Sequence, residues 1–183
     1  PRQTLLFSAT LSDAIVRLAA EFTREPQRVD VSGAHIVAAT VTHRVHPIAT
    51  EQKRAALTHV LTQDATSQAL VFCRTKHGSD RVGEHLERAG IKAAVIHGNK
   101  TQGARTRALG DFKAGRVHVL VATDIAARGL DIAELPLVIN YDLPLAPEDY
   151  IHRIGRTGRA GRSGRAVSLV SPGESSLLRD IQR

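Results

Sequence analysis

From Val41 onward the sequence alternates between two periodicities. Short apolar runs at 41–48, 69–73, 93–97, 118–122, 137–140 and 166–170 read as strands. Between them, 51–61, 77–89, 102–113 and 147–154 carry amphipathic helical spacing, and Gly90 follows the second of these as a C-cap. A strand of about five apolar residues is buried on both faces, and parallel neighbours need a helical crossover between them. The pattern predicts an α/β fold: a mostly parallel sheet with helices on both faces. Ligands in such sheets bind at the carboxyl ends of the strands. Those ends carry CRTK (73–76), HGNK (97–100) and TDIAARGLD (123–131).

The first 31 residues stand apart. Residues 4–7 read as a buried strand, and Ser12 caps a helical pattern through Ile15, Val16, Leu18, Ala19 and Phe22. Pro26 ends it, and 27–31 reads as a second strand. Residues 32–39 are small and weakly patterned, as a linker is. The chain opens on PRQTLLFSAT, straight into an apolar run, as a piece cut from a longer protein would.

A net charge of +7 favours an anionic partner, nucleic acid first. No stretch approaches the ~18 apolar residues of a membrane span, and no signal peptide is visible. The one cysteine, Cys73, lies in the apolar run ALVFC as a buried thiol and fits a reducing compartment. A cytoplasmic location is expected. Aromatic residues make up 3% of the chain, with no tryptophan, so no platform for stacking bases is foreseen. A nucleic acid would then be held through its phosphates and sugar hydroxyls, largely blind to sequence.

HRIGRTGRAGRSGR, residues 152–165, places arginine at 153, 156, 159, 162 and 165. Collagen is excluded, because these few triplets contain no proline. A disordered glycine-arginine segment, a solvated basic loop and a helix end turned toward phosphate all remain open. In the third, Arg156 and Arg159 share a face, and each planar guanidinium can take phosphate oxygens in pairs.

Taken together, HRIGRTGR (152–159), SAT (8–10), LVFCRTK (70–76), IHGNKTQGAR (96–105) and VLVATDIAARGLDI (119–132) resemble, in order and spacing, motifs of the DEAD-box RNA helicases. The wording of the last two is most similar to the bacterial RhlE-type group. The resemblance runs essentially end to end. It implies a RecA-like three-layer sandwich over 40–183, with 1–31 as the end of a first RecA-like domain.

By that resemblance, Arg156 and Arg159 are arginine fingers on the γ-phosphate of ATP, and Gly129 and Asp131 also meet the nucleotide, Asp131 through its ribose. Arg74, Thr75, Gly98, Gln102, Arg105, Thr123 and Asp124 contact RNA; as a carboxylate, Asp124 would take a ribose hydroxyl or cap a helix. Ser8, Thr10, Arg128, His152 and Arg153 couple the two domains. Arg162 and Arg165 extend the motif as a basic loop. The sequence has no G-x-x-x-x-G-K-[ST] loop and no acidic box, and its histidines show no metal spacing. ATP and Mg²⁺ would therefore be held mainly by the first domain in cis, and this chain alone would not hydrolyse ATP. The implied function is one half of an ATP-dependent RNA helicase. An ATPase of the same superfamily acting on DNA, and a non-catalytic RNA-binding module, are the alternatives.

Overall fold

A computed structural model describes residues 3–8, 13–29, 41–63, 68–128, 130, 132, 134–158 and 163–183. The chain divides into two compact units, Pro1–Ile36 and Val37–Arg183, and the division falls within 32–39.

The first unit contains helix α1 (Asp13–Phe22). The strands expected at 4–7 and 27–31 do not form among the described residues. A strand exists only where a neighbour completes its ladder, and no described segment pairs with either. Leu5, Phe7, Phe22 and Val29 remain exposed, because a unit this small has too little interior to cover them.

The second unit is built on one sheet. Its strands are β1 (Val41–Pro47), β2 (Ala69–Phe72), β3 (Ala93–Ile96), β4 (Val119–Ala122), β5 (Leu137–Asn140) and β6 (Gly164–Val170). Their order is β1-β6-β5-β2-β4-β3, and every pairing is parallel. The helices are α2 (Lys53–Gln63), α3 (Lys76–Arg88), α4 (Gln102–Lys113), α5 (Asp124–Ala127), α6 (Pro147–Ile154) and α7 (Ser175–Ile181). This is the parallel, helix-covered α/β fold foreseen from the alternation, and it matches the RecA-like arrangement. Strand β6 starts earlier than the apolar run, because β1 offers it a partner from Val41↔Gly164 onward.

Alternate residues of each strand feed opposite faces. On one face, Val71, Val121 and Ile139 pack with Leu57 and Leu61 of α2 and Val82 and Leu86 of α3. On the other, Leu70, Phe72, Leu120 and Val138 meet Phe112 of α4. That face continues through Ala166, the register partner of Val138, to Tyr150 and Ile154 of α6.

Helix ends are specified locally. Thr75 and Thr101 cap α3 and α4, accepting the N–H of Gly78 at 3.0 Å and of Ala104 at 3.3 Å. Helix α3 closes in a Schellman turn: Gly90 sits at φ +77°, its N–H bonds Glu87 O, and the Ile91 N–H bonds Leu86 O, both at 2.9 Å. Helices α5 and α7 were not expected. The first is a single turn and the second only seven residues, too short for periodicity to register.

Gly164 marks a close approach. A Cβ there would overlap Thr157 Oγ1 and the Gly158 backbone nitrogen. Gly164→Ala should cost about 1–3 kcal/mol in chemical denaturation, as overpacking does, with amide shifts centred on 157–158.

Candidate functional site

The parallel sheet delivers its carboxyl ends to one edge, and the loops leaving β2, β3, β4 and β5 carry most of the sequence-flagged residues. Beside them lies an open cleft lined by Phe72, Asp124, Ala127, Arg128, Asp149, His152, Arg153 and Arg156.

Arg153 forms the floor of this cleft and is 2% exposed. Its Nε and Nη2 donate to Asp124 Oδ1 and Oδ2 at 2.6 and 2.7 Å. Its Nη1 donates to Asn140 Oδ1 at 3.0 Å and Asp142 O at 2.6 Å. The guanidinium also lies 4.9 Å from the Phe72 ring centre. Arg153 therefore ties the ends of β4 and β5 to α6 within this unit. Asp124, the first residue of α5, accepts from Arg153 through both oxygens.

Arg156 lies one turn further on, at the cleft rim and half-buried. Its Nη1 donates to Leu130 O at 3.0 Å and Ile132 O at 3.4 Å, the carbonyls on either side of residue 131. Its own carbonyl accepts the Leu135 N–H at 3.0 Å. Arg128 reaches across to Asp149 Oδ1 at 2.7 Å, and His152 is exposed beside it. Ser8 is exposed in the first unit. Thr10, Gly129, Asp131, Arg159 and Arg162 lie outside the described residues.

Of the residues expected on RNA, Gly98 and Gln102 are exposed, and Arg105 donates to Gln102 Oε1 at 3.2 Å from the first turn of α4. Thr123 is buried as the N-cap residue of α5. The Thr75 hydroxyl is occupied by its capping bond. Arg74 donates through Nη2 to Glu174 Oε1 at 2.8 Å and Leu143 O at 3.4 Å.

Sequence reasoning missed three groups that hold these loops. Asp80 Oδ2 lies 2.9 Å from His97 Nε2, while His97 Nδ1 accepts the Asn99 N–H at 3.2 Å. Those contacts fix the tautomer: Nε2 carries the proton and Nδ1 is bare. Burial pushes Asp80 upward, but bonds from His97 and Lys100 outweigh it and hold the carboxyl below its ordinary value. Lys53 and Glu174 form a buried ion pair at 2.6 Å. Burial likewise pushes Glu174 up, while Lys53, Ser171 and the Leu143 N–H pull it below the usual range. No spacing rule joins residues 53, 80 and 174 to the motifs, so only folding could reveal them.

A carboxyl whose folded pKa is depressed contributes stability that is present above its unfolded value and lost as pH falls through the folded one. Stability should therefore decline with acid below about pH 4, the unfolded glutamate value. Glu174→Gln should flatten that decline in denaturant titrations run at successive pH values.

Cys73 is buried, and burial together with Asp142 pushes its thiol far up, so it is no nucleophile. Among the described residues, no cluster of histidine, cysteine or carboxylate side chains could hold a metal ion, and no helix is long and apolar enough to cross a membrane.

A parallel sheet of this strand order, with arginines of one helix end turned onto its carboxyl-edge loops, defines a RecA-like helicase domain. Residues 52–161 match the helicase conserved C-terminal domain. The DEAD-box ATP-dependent RNA helicase CshA of Bacillus cereus is 45% identical over 181 residues, covering 99% of this chain and 34% of CshA. CshA of Streptococcus pneumoniae is 44% identical with the same coverage. In the crystal structure of the Escherichia coli DEAD-box protein SrmB bound to regulator of ribonuclease activity A, the similarity covers 76% of this chain and 83% of the matched chain, at 41% identity and a TM-score of 0.71. The L327V variant of Saccharomyces cerevisiae Dbp5 bound to RNA and ADP BeF3 gives a TM-score of 0.83 at 32% identity, over 96% of this chain and 47% of the matched chain. The chain belongs to the helicase conserved C-terminal domain family and, within it, to the DEAD-box RNA helicases. It spans about a third of the length of the curated relatives it matches.

Proposed function

We propose that this chain is the carboxyl-terminal RecA-like domain of a cytoplasmic ATP-dependent RNA helicase, together with the end of the first domain (1–31) and the linker (32–39). ATP is clasped between the two domains. Arg156 and Arg159 supply positive charge to the γ-phosphate, and Gly129 and Asp131 meet the nucleotide, Asp131 at its ribose. Mg²⁺, like ATP, is bound mainly by the first domain, as the lack of an acidic box in this sequence suggests. RNA runs along the loops holding Arg74, Thr75, Gly98, Gln102, Arg105, Thr123 and Asp124. Ser8, Thr10, Arg128, His152 and Arg153 couple this domain to the first, Arg153 also fixing Asp124.

The observation that carries this reading is Arg156 at the cleft rim, resting on the Leu130 and Ile132 carbonyls that flank Asp131. One side chain thereby links the finger to the loop assigned to the ribose. On closure around ATP the guanidinium would turn from these carbonyls to an anion, and hydrogen bonds to charged groups are the stronger ones.

Steady-state ATP hydrolysis by the full-length protein tests the reading. RNA should stimulate it and DNA of the same sequence should not, and the present chain alone should be inert with either. Equal stimulation by DNA would replace the RNA assignment with the DNA-acting alternative, and no stimulation by either would leave a binding module.

A further inference from the structure

Glu174 is 4% exposed and lies outside the stretch that matches the family model. Its Oε2 accepts from Lys53 Nζ at 2.6 Å, from Ser171 N at 3.0 Å and from Ser171 Oγ at 2.8 Å. Its Oε1 accepts from Leu143 N at 3.0 Å and Arg74 Nη2 at 2.8 Å. Ser171 follows β6, Leu143 lies beyond β5, and Arg74 lies beyond β2, so one carboxylate gathers three strand ends. Neutralising the buried Lys53 needs only Oε2. The second oxygen is spent on Arg74 and on the backbone next to it.

Arg74 is held twice. Its backbone N–H donates to Asp142 Oδ2 at 2.9 Å, and its guanidinium is anchored through Nη2. The side chain stays 39% exposed, with the rest of its fork not used by these bonds. An arginine on a flexible stem ordinarily loses rotamer freedom when it takes a ligand. One anchored in advance has already lost it. We infer that Glu174 is a positioning residue, which acts through Arg74 by setting its guanidinium in a fixed orientation for an RNA phosphate. The inference rests on the proposal above that this edge of the sheet binds RNA.

Two physical effects of removing the Glu174 charge have opposite signs. By Coulomb's law alone, deleting a carboxylate beside a phosphate site tightens RNA binding. Loss of a positioning group weakens it. Titration of a fluorescent single-stranded RNA with the full-length protein, repeated over a range of salt, separates them. Glu174→Gln should weaken binding about tenfold, the scale of a charge-assisted hydrogen bond, and lower the salt slope by about one unit or less, as Arg74→Ala should too. The double variant should be no weaker than Arg74→Ala alone. Lys53→Met breaks the Oε2 bond and the Lys53 contacts to Tyr141 and Asp142 but leaves Oε1 on Arg74, so it should lower the melting temperature while costing less RNA affinity than Glu174→Gln does.

Unchanged or tighter binding by folded Glu174→Gln overturns the inference, as does an equal loss of affinity in Lys53→Met. If Glu174→Gln does not fold, Arg74→Lys decides. It keeps the charge and loses the anchored fork, so binding as weak as that of Arg74→Ala supports positioning, and wild-type binding refutes it. Arg105→Ala distinguishes the two levels of failure. If it weakens RNA binding while Arg74→Ala does not, only this inference is lost. If neither variant changes affinity, the RNA face itself is misassigned.

Discussion

Alanine at Arg156 should reduce RNA-stimulated ATP hydrolysis by the full-length protein about 10³-fold or more, the range associated with an arginine finger. That factor corresponds to roughly 4 kcal/mol of transition-state stabilisation. The physical reason is timing: negative charge on the transferring phosphoryl group grows only during the reaction, so a guanidinium aimed at it favours the transition state over bound ATP. The loss should therefore fall on kcat, with RNA affinity changed only modestly. Arg156 is half-buried at the cleft rim, so the variant should fold, with a melting temperature closer to wild type than that of a variant at the buried Arg153. Arg156→Lys is expected to rescue little, because an ammonium replaces the planar fork with a point charge. Hydrolysis within a few-fold of wild type in Arg156→Ala would remove the finger from the mechanism.

The sheet was legible in the sequence because buried parallel strands are written as continuous apolar runs. All six runs from Val41 onward became strands, and the expected bounds of β5, α4 and α6 coincide with those observed. Strand pairing is a property of two segments, which is why 4–7 misled: LLF has the composition of a strand and finds no partner among the described residues. Short helices escaped for a related reason. Helix α5 offers only DIAA, and its start is fixed by a tertiary bond between Asp124 and Arg153.

The site divides the same way. Motif resemblance flagged Arg153 without saying that it points inward, since its neighbours Asp124 and Asn140 are brought to it by different crossovers. The resemblance was equally silent on Glu174 and Asp80. Each holds a flagged loop in place, and each is an ordinary polar residue until the chain folds.

Arg153→Met should destabilise the second unit by about 3–5 kcal/mol, the usual cost of removing one partner from a buried ion pair. For a chain of this size that is a fall of about 10 °C or more in melting temperature. Methionine fills much of the volume, so the loss is chiefly polar. Asp124 is left without its counter-ion, and Asn140 Oδ1 and Asp142 O lose the donor they share. Asp124→Asn strands the opposite charge, leaving a guanidinium that is 2% exposed facing neutral acceptors alone, and should cost a similar amount. Because both variants break the same bonds, the double variant should fall well short of the sum, with a coupling of about 1–3 kcal/mol in a mutant cycle. An arginine whose business lay across the domain junction would behave otherwise: its replacement would slow ATP hydrolysis and leave the melting temperature of this chain untouched. Thermal denaturation of the 183-residue chain alone therefore decides whether Arg153 serves the junction directly or holds the loops that do.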